Sequence, residues 1–328
     1  MNSARLVRII GTYGVVIAFA ALVLFGFLRY DRFLGFFNVV SVLRYNSMFA
    51  LVALGMCFVI MTGGIDLSVG SVAALGSVAS ALASPHGIAA GLAAGVGAGL
   101  AAGLINALLV TRGNLMPFIA TLATMLAASG SALLLAGNQT VSVSYDSGFT
   151  AIGQGNFWIF PVPAIIALVA YVLGSVVLNY TSTGRTVLAI GGGEDASRLM
   201  GLRTDRVKFL VYVASGCLAG LAGVVLASQF GAGQPIEGVG WELFAIAAVV
   251  VGGTLLTGGS GSVLTTLAGV LLLGILFNIL NFENGMGWIS LSAYWQSVIR
   301  GLFLLVVVLL QARLTGRRGT RPGTRSDV

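Results

Sequence analysis

A long uncharged stretch limits this chain to one kind of fold. Between Arg44 and Arg112 the only charged side chain is Asp66, and every other residue there is apolar, small or neutral and polar. About 20 apolar residues make one helical span, so this stretch can cross a bilayer more than once. Asp66 then needs an explanation, because a carboxylate in hydrocarbon is costly and usually faces protein or a water-filled route.

The composition of the whole chain agrees with a membrane protein. Apolar residues make up 57% of the 328 residues, charged residues make up 8%, and the mean hydropathy is +1.01. These values exclude an ordinary soluble domain. We therefore predict an all-α integral membrane protein with short loops. The net charge of +7 bears on membrane topology and gives no reason to expect nucleic acid as a partner.

About ten transmembrane spans, some of them interrupted helices, are predicted from the apolar runs. An even number of spans places both termini on one side. Most Lys and Arg residues then lie on that side, which the positive-inside rule makes the cytoplasm. The apolar segment 33–43 is too short to span and is expected to lie along the outer face. The predicted spans are 9–29, 45–62, 67–84, 87–111, 116–136, 161–180, 208–229, 241–257, 262–282 and 293–312.

Several interpretations of Asp66 stay open. Gly63-Gly64 can end one helix, and Asp66 or Ser68 can cap the start of the next helix. Alternatively, a helix interrupted inside the membrane presents free backbone groups and a carboxylate to a polar solute, as broken helices do in transporters. These two roles can coexist. An ion-coupled secondary transporter would use Asp66 as a proton or cation site.

Two patterns predict how helices meet. Glycines recur every four residues from Gly91 to Gly103, which places them on one helical face as small-xxx-small contacts with a neighbouring helix. In addition, 49–64 resembles 244–259, with Phe at the start and Thr-Gly-Gly at the end of each. This weak repeat predicts that 252–262 is a second interrupted region that faces the same path.

The longest predicted cytoplasmic connection is 181–207. Three glycines precede Glu194 and Asp195, and acidic residues are favoured in a first helical turn. We predict a surface helix of barely two turns. Leu199 and Met200 would be exposed on it unless a partner covers them. A docking site for another protein is the preferred interpretation, and a helix that lies on its own membrane domain is the alternative.

The sequence carries no recognisable catalytic or cofactor chemistry. It has no Gly-rich phosphate-binding loop of the P-loop type, and Lys208 is the only lysine, so this chain alone cannot form a standard ATP site. His86 is the only histidine, and Cys57 and Cys217 both lie in apolar runs, so no metal site or disulfide is predicted. The chain is expected to bind and move a solute, with no cofactor of its own.

Four motifs in order along the chain resemble a known family. Together they are similar to the permease subunits of bacterial sugar ABC importers of the ribose, xylose and galactofuranose group. The phrases GVGWELFAIAAVVVGGTLLTGG and NFENGMG most resemble galactofuranose-type permeases. Branched-chain amino-acid permeases are more distant relatives and remain an alternative. The four motifs are MTGGIDLSVGS at 61–71, NLMPFIATLATM at 114–125, GRTVLAIGGGEDASRLMGL at 184–202 and VVVGGTLLTGGSGSVLTTLAGVLLLG at 249–274.

Because no long soluble stretch occurs, a single transmembrane permease domain is predicted over 1–312, and the tail at 313–328, rich in Arg, Gly and Thr, is predicted to be basic, disordered and cytoplasmic. The resemblance implies that the permease lies in the bacterial inner membrane. It implies three kinds of partner: a second permease, two ATP-binding-cassette chains that bind the ATP, and a periplasmic sugar-binding protein. The tail is expected to contact membrane lipid. Within 181–207, a coupling helix would enter an ATPase groove. Its implied residues are Glu194, Asp195, Ala196, Ser197, Arg198, Leu199, Met200 and Gly201.

A sugar is neutral and rich in hydroxyl groups, so its path needs hydrogen-bonding side chains with little net charge. Small polar residues in membrane helices also bond simply to their own helix or to a neighbour. With that alternative open for each residue, the candidates for the path are Asn46, Asp66, Ser68, Ser71, Asn106, Thr121, Thr254 and Asn278, with Thr124 and Asn281 as further possibilities.

Overall fold

The computed structural model describes residues 3–285, together with residues 295, 298, 299, 301, 302 and 305. This part of the chain is mostly helical, as predicted. The helices are α1 (Ser3–Arg29), α2 (Phe36–Met61), α3 (Val69–Ala83), α4 (Ile88–Thr111), α5 (Pro117–Leu135), α6 (Ala151–Gln154), α7 (Val162–Tyr180), α8 (Ser182–Gly192), α9 (Glu194–Leu199), α10 (Thr204–Phe230), α11 (Trp241–Val251) and α12 (Val263–Gly285). Four two-residue strands are β1 (Val141–Ser142), β2 (Asn156–Phe157), β3 (Phe160–Pro161) and β4 (Ala232–Gly233).

Six helices in the described residues are long and apolar enough to cross a membrane: α2, α4, α5, α7, α10 and α12. Two predicted spans are shorter than a full crossing, because α3 has 15 residues and α11 has 11 residues. The predicted span at 293–312 and the tail at 313–328 lie outside the described residues, apart from a few isolated positions. The count of ten spans and the orientation of the termini therefore stay predictions.

Helix α2 begins earlier than the sequence indicated. It runs without a break from Phe36 to Met61, whereas the expected span began at residue 45 and 33–43 was expected along the outer face. Gly35 is its N-cap, and no Gly or Pro interrupts the helix over the next residues. Continuing the helix keeps every backbone N–H and C=O paired at the membrane surface. The helix ends where Gly63, with φ of 82°, turns the chain.

The centre of residues Met1–Leu276, the first of two compact units, is made by α2, α3, α4 and α10. The predicted glycine face of α4 is buried, and it meets α10, where Gly216 and Gly220 lie opposite Gly99. A Cβ at Gly99 would stand 2.7 Å from the Cα of Gly220 and closer still to the carbonyl oxygen of Gly216. Small residues on both helices therefore bring the two backbones into contact.

The chain between α10 and α11 turns back into the protein along α3. Ser77 accepts a hydrogen bond from the Gln234 N–H at 3.0 Å, and Gly238 lies against the backbone of Gly70 at the start of α3. Helix α11 then begins beside Phe49, near the middle of α2, with ring centroids 4.7 Å apart between Phe49 and Trp241. Helix α11 therefore starts beside the middle of α2.

Helix α11 is also shorter than the predicted span 241–257. Its end is set by Gly252, the C-cap, and by Gly253, whose φ of 89° lies in the left-handed region. A continuing helix would need negative φ at that position, and glycine is the residue that leaves the helical region at least cost. The predicted second interruption within 252–262 is thus present.

The connection between α5 and α7 folds over the ends of α3, α4 and α10. Strand β1 pairs antiparallel with β4, and the fully buried ring of Phe149 packs with Ala81, Val143, Val224 and Ala227. Strands β2 and β3 form a separate hairpin just before α7. This loop is therefore an ordered cap with its own small core.

The chain divides into two compact units, Met1–Leu276 and Phe277–Val328. The described part of the second unit comprises the end of α12 and the isolated positions between 295 and 305. Asn278 and Asn281 lie on α12 within this second unit. The prediction of one domain over 1–312 stays a prediction.

Candidate functional site

Asp66 lies at the centre of a buried polar cluster between α2 and α3. Its side chain is 1% exposed. Oδ1 accepts hydrogen bonds from the Ser68 N–H at 3.0 Å and from the Ser68 hydroxyl at 2.6 Å. Oδ2 accepts a hydrogen bond from the hydroxyl of Ser215, on α10, at 2.8 Å. Both carboxylate oxygens therefore have donors, as a charge buried in the membrane layer requires.

Two more helices close the cluster. The Asn106 amide, on α4, donates to the Ser68 hydroxyl at 2.9 Å and lies 3.5 Å from Asp66 Oδ1. Thr121, near the start of α5, accepts a hydrogen bond from the Leu67 N–H at 3.1 Å. Residues 62–68 are thereby fixed to α4, α5 and α10, so we name Asp66, Ser68, Asn106, Thr121 and Ser215 the Asp66 cluster.

The Asp66 cluster lies at the start of α3 without forming an ordinary side-chain cap. Ser68 is the N-cap residue of α3 and makes no capping hydrogen bond through its side chain, and Asp66 accepts the Ser68 N–H just before the helix. Its described hydrogen bonds come from Ser68 and Ser215, and the residue is 1% exposed. A direct contact of Asp66 with a transported solute or ion stays a prediction.

The structure brings together half of the residues predicted for the path. Asp66, Ser68, Asn106 and Thr121 share the cluster. Asn46 is elsewhere on α2, where its amide donates to the Val42 carbonyl at 2.7 Å, and Thr254 is buried after α11. Ser71 is half-buried on α3, Thr124 is buried on α5, and Asn278 belongs to the second unit. Their roles in transport stay predictions.

Two residues of α10 were missed by sequence reasoning. Ser215 supplies the donor to Asp66, and Tyr212, one turn earlier, is fully buried with its hydroxyl against Gly64. Within the described residues the Tyr212 hydroxyl has no hydrogen-bond partner. The available signal was that Tyr212 and Ser215 are polar residues just before Gly216, in an apolar helix.

The two segments of the weak repeat lie side by side. Phe49 stacks on Phe244 with ring centroids 4.4 Å apart, and Gly63 and Gly258 both have φ of 82° and touch each other. The Gly259 N–H donates to the Met61 carbonyl at 3.0 Å. Equivalent positions therefore meet at both ends of the repeat, so α2 and α11 run in the same direction.

The predicted short helix is present as α9. It follows Gly193 and places Leu199 at 90% exposure and Met200 just after it at 68% exposure. Asp195 and Ala196 are also exposed, whereas Ser197 is buried against the rest of the chain. Helix α9 thus presents an apolar tip that nothing in the described chain covers.

Four charged residues hold α9 against α10. Glu194 accepts hydrogen bonds from Lys208 Nζ at 2.9 Å and from Arg198 Nη2 at 3.1 Å. Arg198 also donates to Asp205 Oδ1 at 2.7 Å and to Thr204 Oγ1 at 3.0 Å. Both the start and the end of this short helix are therefore attached to the first two turns of α10.

Helix α8 packs against both interrupted regions, at the end of α2 and in the loop that follows α11. A Cβ on Gly191 would overlap the Met61 carbonyl oxygen and the Gly259 N–H. Only Gly193 separates α8 from α9. The exposed tip of α9 is therefore close in the chain to the contact that α8 makes with the ends of α2 and α11.

We expect Lys208→Met to loosen α9. Lys208 is the least exposed member of the charged group, and its loss leaves Glu194 with Arg198 alone. The expected cost is about 1 kcal/mol, and it should appear as faster hydrogen exchange of the α9 amides. Arg206→Met is the matched control, because Arg206 is exposed in the same turns of α10 and makes no ion pair with the described residues. Equal exchange in wild type and Lys208→Met would contradict the assignment.

Comparison with known proteins identifies the family to which this chain belongs. A family model described as branched-chain amino acid transport system / permease component matches residues 38–308. The chain belongs to this permease family. It is a transporter component and not an enzyme, and it is a multi-pass protein of the inner membrane.

Several curated relatives cover most of the permease. The ribose import permease protein RbsC of Bacillus subtilis is 44% identical over 84% of this chain and 85% of its own length. The L-arabinose transport system permease protein AraH of Escherichia coli is 37% identical over 92% and 90%. The fructose import permease protein FruG of Bifidobacterium longum is 35% identical over 93% and 91%. No solved structure matches the chain significantly.

Proposed function

We propose that this chain is the membrane-spanning subunit of an ATP-binding-cassette importer that carries a monosaccharide into the cytoplasm. The observation that carries the proposal is α9, a short helix with an exposed apolar tip that is attached by charge pairs to α10. Its relatives named for ribose, L-arabinose and fructose import support a sugar as the solute.

The energy source is a separate ATPase chain. Lys208, the only lysine, lies beside Glu194 at 2.9 Å and is part of no phosphate-binding loop. The proposed assembly therefore has a second permease, identical or different, two ATP-binding-cassette chains and a periplasmic sugar-binding protein. The ATPase meets the apolar tip of α9, which places α9 and both termini in the cytoplasm.

The interrupted helices are the proposed lining of the path. Helix α3 begins at the Asp66 cluster and α11 begins beside Phe49. In this proposal both helix starts lie within the membrane layer. Broken helices of this kind place backbone groups and side chains at the depth where transporters bind solutes. In this proposal Asp66 holds the break in place, and the half-buried Ser71 lies one turn further along α3.

Uptake by proteoliposomes tests the function and the solute together. Permease reconstituted with its ATPase and binding protein should accumulate a labelled sugar only when ATP is present. Ribose, arabinose, fructose and galactofuranose form the panel, the last because of the galactofuranose-type phrases in the sequence. Uptake driven by a proton or sodium gradient without ATP would support the ion-coupled alternative. Leucine uptake would support the amino-acid alternative.

We expect Leu199→Asp combined with Met200→Asp to uncouple transport from ATP. Both side chains are exposed in the free chain, so the change should leave its stability within about 0.5 kcal/mol. Two charges in an apolar contact should abolish co-purification with the ATPase and reduce uptake to background. Leu199→Met, which keeps the tip apolar, is the control. Unchanged uptake in the double Asp variant would contradict the role of α9.

A further inference from the structure

The hairpin made by β2 and β3 carries an exposed apolar surface. Its residues Phe157 and Phe160 are paired across the strands, and Trp158 and Ile159 form the turn between them. Trp158 is 90% exposed, Phe157 is 72% exposed, and the other two are about half exposed. Exposure of four consecutive large apolar side chains to water is costly in free energy, so we expect another apolar surface to bury them.

The hairpin is held in a defined place. Arg44, on α2, donates through Nη2 to the Asn156 side-chain oxygen at 2.8 Å. Trp158 has φ of 58°, a left-handed conformation that the tight turn requires. Pro161 then caps the start of α7. The apolar side chains are therefore presented by a structured turn fixed to two membrane helices.

The position of α7 sets the depth of the hairpin. Its 19 residues span about 28 Å, close to the roughly 30 Å thickness of the hydrocarbon layer. Its exposed side carries the apolar residues Leu168, Val172 and Leu173, which suit contact with lipid. Trp158 lies four residues before α7 begins, and the largely exposed Tyr180 is its last residue. Trp and Tyr are enriched at the two membrane interfaces, and α7 has one at each end.

We propose that the hairpin Asn156–Pro161 is a membrane-interface anchor whose Trp158 and Phe160 side chains bind among phospholipid headgroups and upper acyl chains. The contact continues the lipid-facing surface of α7, at its end away from α9. Trp158 at one end and Tyr180 at the other fix the depth of α7. Because α7 leads directly into α8 and α9, the anchor also sets the level at which the α9 tip is held.

Tryptophan fluorescence of the full chain in lipid nanodiscs tests this assignment. The signal of Trp158 is the emission of wild type minus that of Trp158→Phe, since Trp241, Trp288 and Trp295 are common to both. Phosphatidylcholine brominated near the top of its acyl chains should reduce this difference by at least about twofold, because the ring lies at that level. Iodide in the aqueous phase should leave it nearly unchanged.

A matched control and two contrary results make the test decisive. The corresponding difference for Trp241→Phe, whose ring is buried against Phe49, should respond to neither quencher. Quenching of Trp158 by iodide and not by brominated lipid would overturn the anchor. Iodide quenching that is relieved by added sugar-binding protein, or by raising the permease concentration, would equally overturn it and assign the hairpin to a protein contact. This test requires neither sugar transport nor ATP.

Discussion

Asp66→Ala is expected to destabilise the permease by about 3 kcal/mol or more. The substitution leaves the Ser68 N–H, the Ser68 hydroxyl and the Ser215 hydroxyl without their acceptor, and each unsatisfied buried donor costs about 1–3 kcal/mol. The loss should appear as a lower midpoint of thermal unfolding for protein purified in detergent. Uptake should be lost with it, because α3 no longer has a fixed start.

Two further variants separate a cap from an ion site at Asp66. Ser215→Ala removes one donor and leaves the carboxylate with Ser68, so a smaller cost of about 1 kcal/mol is expected. Asp66→Asn keeps an acceptor oxygen for the Ser68 N–H and should retain ATP-driven uptake at reduced stability. Complete loss of uptake in a stable Asp66→Asn variant would contradict the capping role and favour ion coupling.

Gly99→Leu is expected to separate α4 from α10 and to cost about 3 kcal/mol or more. A Cβ at this position already overlaps the carbonyl oxygen of Gly216, and backbone on both sides cannot move away as a side chain could. Overpacking of a well-packed interface costs about 1–3 kcal/mol even where side chains can adjust. Size-exclusion profiles and unfolding midpoints in detergent measure the effect.

Gly97→Leu is the matched control on the same helix. No atom lies within 4 Å of a Cβ at Gly97, so the same change in residue type meets open space. Leu is also favoured over Gly in a helix by about 0.8 kcal/mol. We expect Gly97→Leu to be neutral or slightly stabilising. If both substitutions destabilise the protein to a similar degree, the loss of stability does not come from the α4–α10 contact.

Helix α10 connects the functional parts of the first unit. Its first turns hold α9 through Lys208 and Asp205, and its middle holds the Asp66 cluster through Ser215. Just beyond Ser215, Gly216 and Gly220 contact α4 at backbone distance. One continuous helix therefore connects α9 to the start of α3, and its close packing leaves little room for local adjustment.

The fold class and the positions of the breaks depend on local features of the sequence. Hydropathy over about 20 residues identifies a membrane helix without knowledge of its neighbours. Gly63 and Gly253 adopt left-handed φ values, which a sequence signal of paired glycines predicts. The three glycines and the acidic first turn predict the short helix α9, which ends at Leu199. Each of these predictions needs only residues close together in the chain.

Sequence reasoning was less successful where partners are far apart in the chain. Asp66 and Ser215 are separated by 149 positions, and the polar position of Ser215 in an apolar helix does not by itself identify its partner. The glycine face of α4 was predicted, but its partner was not, because a chain with 47 glycines offers many small-residue faces. The path of 231–240 along α3 was likewise not predicted, because it depends on contacts with Ser77 and Gly70, which are far away in the chain.

The sequence by itself determined a helical membrane protein, the places where its helices break, and the family to which its motifs point. Only the tertiary structure decided that Asp66 is enclosed by four helices, that α11 starts beside the middle of α2, and that Arg198 and Lys208 hold α9 on α10. The physical reason is that in lipid the hydrophobic effect selects helices but does not select their partners. Partner choice depends on close backbone approach and buried hydrogen bonds, which form between residues distant in the chain.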